Sequence, residues 1–330
     1  MKAIVQEKYG SPDVLQLREI ERPSAGAAEV LVKVYASTVT LPDCAFRKAD
    51  PFIVRFFTGF LRPRTKVPGT VFAGIIEATG PGVKAWKRGD PVYGATNLTN
   101  GAHAEYMRVS PEKDIIAPKP ASLSFDQAAG ACYSFLTAMP FLRDEARLQP
   151  GQRILINGAS GSVGTVAVQL AKHKGADVTA VCSTHNVELV KSLGADHVID
   201  YTREDFTAAG AAYDVIFDVV GKSSFARCRN ALKPTGIYLT TVPSFAIAWT
   251  MVMTGRSAGK RGRLATTGLR PADAQTRDLL LLNQFADAGV LRPVIDRTYP
   301  LEGIADAHRY VEAERKRGDV IITIPHHAVS

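Results

Sequence analysis

Three glycines spaced by three, Gly158, Gly161 and Gly164, fall in the run Asn157-Gly158-Ala159-Ser160-Gly161-Ser162-Val163-Gly164. Lacking a Cβ, they allow a tight turn, a close approach of a pyrophosphate to the main chain, and a helix lying close on a strand. The run follows the apolar Arg153-Ile154-Leu155-Ile156 and precedes a helical pattern over 165–174. A strand feeding a glycine turn that opens a helix is a dinucleotide site. The helix N-terminus adds free N–H groups and a positive dipole end. The spacing is G-x-x-G-x-x-G and not G-x-G-x-x-G, so the context carries the reading.

That turn needs a sheet to hold it. The middle of the chain alternates strand and helix patterns: 153–156, a helix from Ser162, 177–182, a helix over 186–193, 197–199, 215–219, a helix over 225–232, and 236–242. The alternation predicts an α/β fold with a Rossmann-type, doubly wound parallel sheet. The first third reads as β-rich, with strands over 1–6, 29–37, 70–79 and 104–109 and turns at Pro81-Gly82 and Lys87-Arg88-Gly89-Asp90. From Ser124 the period changes to a helix over 125–143, which Pro140 should kink or end. A helix over 273–288 stops at Gly289, and the tail holds a strand over 297–299, a helix over 301–317 and a strand over 320–324. The expected division is 1–122, 123–290 and 291–330, the tail returning to the first domain.

With 330 residues, 46% hydrophobic and 22% charged, the chain falls among ordinary globular proteins and outside the disordered and fibrous classes. The start, Met1-Lys2-Ala3-Ile4-Val5-Gln6-Glu7, meets charge before any long apolar region forms; it reads as a strand and not a signal peptide, so a cytoplasmic location is expected. The longest apolar stretch, 242–253, contains Pro243, Ser244 and Thr250 and falls short of the about 20 residues of a membrane span. Cys44, Cys132, Cys182 and Cys228 form no C-x-x-C pair, which predicts reduced, buried thiols rather than a zinc or disulfide framework. The formal charge of +8 is compatible with nucleic acid, an anionic membrane, an anionic cofactor or plain solubility.

Further motifs stand in a fixed order: Met1-Lys2-Ala3-Ile4-Val5, Tyr9-Gly10-Ser11-Pro12-Asp13-Val14-Leu15, Gly80-Pro81-Gly82-Val83, Gly89-Asp90-Pro91-Val92-Tyr93-Gly94, Gly101-Ala102-His103-Ala104-Glu105-Tyr106, Leu136-Thr137-Ala138, Leu193-Gly194-Ala195-Asp196 and Val198-Ile199-Asp200-Tyr201. With the glycine turn, they make the chain resemble the medium-chain dehydrogenase/reductases, in the zinc-independent quinone oxidoreductase and enone (2-alkenal) reductase branch. The resemblance implies a β-rich GroES-like catalytic domain beside the Rossmann domain, NADPH as cofactor, a homodimer, and a small lipophilic quinone or carbonyl substrate. It implies that Thr40, Thr137 and the backbone around Thr241 and Val242 line the nicotinamide, with Val220 also at the cofactor. Ser160, Gly161, Ser162 and Val163 would contact pyrophosphate, and Ser183, Asn186 and Tyr201 the ribose and its phosphate. Tyr133 is the candidate proton donor; the alternative is a tyrosine packed on a helix.

Where zinc-dependent members of the superfamily hold catalytic metal, this chain has Thr40 and Thr70-Val71, so no zinc is expected; Cys44 and His103 nearby read as packed residues. After the second cofactor-domain strand, an NAD site usually places an acid for the ribose 2′-hydroxyl, but this chain has Cys182-Ser183-Thr184-His185-Asn186. The missing carboxylate removes repulsion toward a 2′-phosphate and favours NADPH. Two departures from the resemblance are Gly69-Thr70-Val71-Phe72-Ala73-Gly74, without a carboxylate, and Gly318-Asp319-Val320, where an anion replaces a cation and reads either as a charge near the cofactor or as a solvated helix end. The phenylalanine- and arginine-rich run 50–62 reads as core, lid or amphipathic membrane contact, and 245–253, followed by Arg256, Lys260, Arg261 and Arg263, carries the same ambiguity. The rival to an enzyme is an NADPH-binding sensor whose basic surface meets RNA or membrane lipid, although the chain has no RRM-type signature.

Overall fold

The structure, a computed structural model, describes residues 1–326 apart from 53, 97–100, 209, 256, 257 and 266. Ile53 and Arg256 of the two ambiguous segments lie outside the described residues. The chain divides into two compact units, one of residues 1–133, 271–287 and 293–330, the other of 134–270 and 288–292.

In the first unit, β1 (Lys2–Gln6) pairs antiparallel with β2 (Leu15–Glu19). Then come β3 (Val30–Thr38), helices α1 (Leu41–Lys48) and α2 (Val54–Thr58), and strands β4 (Val71–Thr79), β5 (Pro91–Ala95), β6 (Tyr106–Val109) and β7 (Ile115–Pro118). β3 pairs with both β4 and β6, and β5 bridges β4 and β7, all antiparallel. The division between units falls inside α3 (Phe125–Pro140), which ends at its proline in a π-helical turn over Phe141–Glu145.

The second unit is built on β8 (Arg153–Asn157), α4 (Ser162–His173), β9 (Asp177–Cys182), α5 (Val187–Ser192), β10 (His197–Asp200), β11 (Tyr213–Asp218), α6 (Phe225–Cys228), β12 (Leu232–Thr240), α7 (Phe245–Thr254) and β13 (Arg261–Leu264). Its six strands run parallel in the order β10-β9-β8-β11-β12-β13. This doubly wound order reverses between β8 and β11, and ligands bind outside the strands' carboxyl ends at such a reversal. Ile154, Leu155 and Ile156 are fully buried; such burial is worth about 2 kcal/mol a side chain. The helix expected over 225–232 stops at Cys228, because buried Leu232 already pairs with Tyr213 in the sheet.

The chain then returns to the first unit through α8 (Ala272–Asp287), β14 (Ile295–Pro300), α9 (Ile304–Glu312) and β15 (Asp319–Thr323). β15 pairs antiparallel with β3 and parallel with β14, extending the first sheet. α8, placed with the cofactor domain by sequence, belongs instead with the first unit: Tyr93 Oη donates to Leu279 O at 3.0 Å, and Asn283 Nδ2 donates to Pro118 O at 2.9 Å. Its 3.6-residue period announced an apolar face but not which sheet would receive it. The helix expected over 301–317 ends at Glu312, with Glu314 in the left-handed region at φ 54°. Asp319 is buried, not a solvated helix end. All four cysteines are free and buried. Among the described residues no helix is long and apolar enough to cross a membrane.

Candidate functional site

In the second unit, β8 runs into the glycine turn and α4 leaves it. Gly158 has φ 83°, and a Cβ there would lie 2.1 Å from Val220 Cγ2. A Cβ on Gly164 would lie 2.1 Å from Gly158 O, so α4 rests directly on the turn. The fold therefore demands glycine at both positions. Gly161 differs. Its φ is −81°, open to any residue, and a Cβ would meet only Gly158 O, at 3.6 Å. It is the N-cap of α4, where no side chain caps the first turn. Open space over uncapped amides is a cradle that a Cβ would fill and a pyrophosphate fits.

Ser160, Ser162 and Val163, in and just after the turn, are buried. Asn186 Nδ2 donates to Ser160 Oγ at 3.0 Å and to Ser183 Oγ at 3.2 Å, tying the turn to the end of β9. Asn186 Oδ1 is buried without a partner. An orphaned buried acceptor is costly, and a ribose hydroxyl would satisfy it. With the amide turned over, Oδ1 accepts from the two serine hydroxyls and Nδ2 faces the ligand, which suits a phosphate. Tyr201 is exposed and donates its backbone N–H to Cys182 O. Asp200, which sequence reasoning did not single out as a site residue, ends β10 and accepts from Thr184 Oγ1 and from Thr202 N and Oγ1. Those hydrogen bonds hold its carboxyl below the usual range.

The other side of the reversal is organised by Asp218, also missed by sequence reasoning. It is fully buried and accepts from Asn157 Nδ2 (2.9 Å), Gly221 N (3.0 Å), Ser223 N (2.9 Å) and Tyr238 Oη (2.8 Å). The carboxylate joins β8, β12 and the loop after β11. Thr241 Oγ1 donates to Val219 O in that loop at 2.8 Å, and Val220 and Val242 leave apolar side chains exposed at the strand ends. Thr137 is buried on α3, within the second unit, and is engaged in contacts of its own. The signal for Asp218 was an acid directly after the apolar run Val215-Ile216-Phe217.

In the first unit, Thr40 is the N-cap of α1 and forms a reciprocal capping box with Asp43: Thr40 N and Oγ1 donate to Asp43 Oδ2 at 2.8 and 2.6 Å. Its hydroxyl is thus engaged locally. Tyr133, which ends the first segment of this unit, is half-buried and engaged. His103 is buried with Nε2 3.1 Å from Thr38 O, and Cys44 Sγ lies 3.4 Å from Nδ1 of buried His308. Burial pushes the Cys44 thiol up to about 12, helped by the charges of Asp43 and Glu312. Among the described residues no three His, Cys, Asp or Glu side chains form a metal-ligating group.

Burial, with the charges of His103 and Arg47, pushes His308 down to about 2. The unfolded chain accepts this proton below about pH 6.5 and the folded chain refuses it, so stability is full above that value and falls with pH below it. By pH 5 the loss from His308 is about 2 kcal/mol. Burial lowers His103 in the same sense and raises Asp43, which acts oppositely. His308→Gln should therefore flatten the pH dependence of thermal unfolding between pH 7 and 5 relative to the unaltered chain. An unchanged slope contradicts the assignment.

Residues 26–121 match the family model described as alcohol dehydrogenase GroES-like domain, and residues 193–322 the model described as zinc-binding dehydrogenase. A protein of Arabidopsis thaliana named NADPH-dependent alkenal/one oxidoreductase, chloroplastic, is 32% identical over 98% of this chain and 79% of its own length. The 2-methylene-furan-3-one reductase of Solanum lycopersicum is 33% identical with the same coverage. Among solved structures, the quinone oxidoreductase from Coxiella burnetii superposes with a TM-score of 0.87 at 29% identity, covering 98% of this chain and 99% of its own.

Proposed function

Because the chain belongs to the medium-chain dehydrogenase/reductase superfamily, we propose that it is an NADPH-dependent, zinc-independent reductase acting on a quinone or on the activated C=C of an α,β-unsaturated carbonyl. The observation that carries this reading is the open space at Gly161 over the uncapped start of α4, beside the unpartnered Asn186 Oδ1. The names of the relatives support the cofactor and acceptor classes. NADPH, when bound, supplies the hydride.

The chain supplies position. Gly158, Ser160, Gly161, Ser162, Val163 and Gly164 receive the pyrophosphate, and Ser183, Asn186 and Tyr201 the adenosine ribose and its phosphate. The residues directly after β9, Ser183 to Asn186, include no acid to repel a 2′-phosphate. Val220, Thr241 and Val242 form the edge that meets the nicotinamide half. An enone or quinone accepts hydride once hydrogen-bond donors polarise its carbonyl, and water or a side chain then protonates the product; neither step requires a metal. Tyr133 is the candidate donor of that proton.

The test is turnover. Purified protein with NADPH is offered quinones, alkenals and enones, with and without a chelator, and nicotinamide absorbance is followed. The reading expects chelator-insensitive oxidation of NADPH on at least one class. Tight NADPH binding without turnover on any of them replaces it with the sensor, and an unchanged kcat in Tyr133→Phe removes the tyrosine from the chemistry.

A further inference from the structure

The run 51–68 joins Phe52, Phe56, Phe60 and Leu61 to Arg55, Arg62, Arg64 and Lys66, and no Asp or Glu occurs from 51 to 76. Phe52, Phe56 and Phe60 are 57%, 62% and 57% exposed, and Leu61 is 83% exposed. Singly exposed apolar residues are ordinary on a protein surface. These are not single: the three rings contact one another edge to face, with centroids 5.9 to 6.3 Å apart. They form one apolar projection on water, with Arg62, Arg64 and Lys66 exposed beside it.

The projection is held in shape from beneath. Tyr9 Oη donates to Gly59 O at 2.6 Å and lies 2.8 Å from Thr58 Oγ1. The Arg55 guanidinium stacks over the Tyr9 and Phe52 rings and donates to Phe60 O, while Arg64 N donates to Thr58 O. A preorganised aromatic surface needs little ordering when it inserts.

We propose that the 52–64 segment docks this protein on anionic lipid bilayers. Phe52, Phe56, Phe60 and Leu61 enter the boundary between headgroups and acyl chains, and Arg62, Arg64 and Lys66 meet headgroup phosphates and carboxylates. Charge decides the occupant: three exposed cations, Arg62, Arg64 and Lys66, outnumber the single exposed acid that adjoins the segment, Asp50, and complement an anionic plane. The proposal holds whichever substrate the protein reduces.

Co-sedimentation of the full chain with vesicles of phosphatidylcholine alone, or with added phosphatidylserine, tests it. Binding should require phosphatidylserine and weaken with salt. The triple variant Phe52→Ser/Phe56→Ser/Phe60→Ser and the double variant Arg62→Glu/Arg64→Glu should each lower partitioning about tenfold or more with an unchanged thermal midpoint. Should the triple variant fail to fold, the charge variant decides. Equal binding to both vesicle types, no binding, or variants that bind like the unaltered chain overturn the proposal. Loss of self-association in the triple variant, with no vesicle binding by the unaltered chain, also overturns it and assigns the projection to a second copy.

Discussion

Replacing Asp218 with alanine should destabilise the protein by about 4 kcal/mol or more, the largest stability effect expected of a single polar residue here. Four donors converge on this buried carboxylate from Asn157, Gly221, Ser223 and Tyr238. Removing the acceptor strands them, and each stranded buried donor costs about 1–3 kcal/mol. Asp218→Asn keeps the volume and should cost less, since one oxygen still accepts. The loop that Asp218 holds carries Val220, so Asp218→Ala should also weaken dinucleotide binding at temperatures where the protein remains folded. Denaturant unfolding measures the first effect. A loss below about 1 kcal/mol contradicts the role as organiser of the reversal.

Gly161→Val should do the opposite, sparing the fold and abolishing the site. At φ −81° any residue is unstrained, and the neighbouring space is open. A side chain there occupies the volume where phosphate oxygens would meet the first-turn amides of α4, so NADPH affinity should fall about a hundredfold, or about 2.7 kcal/mol. Gly161→Ala should fall between the variant and the unaltered chain. Gly164→Val is the contrasting control, because its Cβ would lie 2.1 Å from a backbone oxygen and must damage the fold itself. If Gly161→Val unfolds, or binds NADPH normally, the division between fold-demanded and ligand-demanded glycines is wrong.

The reach of the sequence followed from the kind of physics involved. Hydrophobic period and turn chemistry are local, so β8, α4, β9 and the strand β12 were legible to within a few residues of their observed bounds. The glycine turn was legible because its strand and helix adjoin it in sequence. Long-range pairing was not. α8 shows an apolar face but not its partner, and Leu232 looked helical because only the sheet says that it pairs with Tyr213. The capping box at Thr40 and Asp43 could have been read from their spacing, and would have shown the threonine hydroxyl engaged. Asp218 could not be read as a hub, since its donors lie up to 61 residues away. The phenylalanines of 52–60 kept three readings open because amphipathicity does not say which side is covered; the structure leaves Phe52, Phe56 and Phe60 exposed rather than in the core.

The central claim is that an NADP-type dinucleotide occupies the turn at Gly158 to Gly164. Calorimetric titration of the purified chain with NADPH and with NADH, repeated on Gly161→Val, tests it most directly. Saturable binding of both is expected, tighter for NADPH because Ser183 to Asn186 after β9 include no acid, with collapse of both in the variant while its thermal midpoint falls by no more than a few degrees. Absence of binding, NADH binding as tight as NADPH, or undiminished binding by Gly161→Val would contradict it.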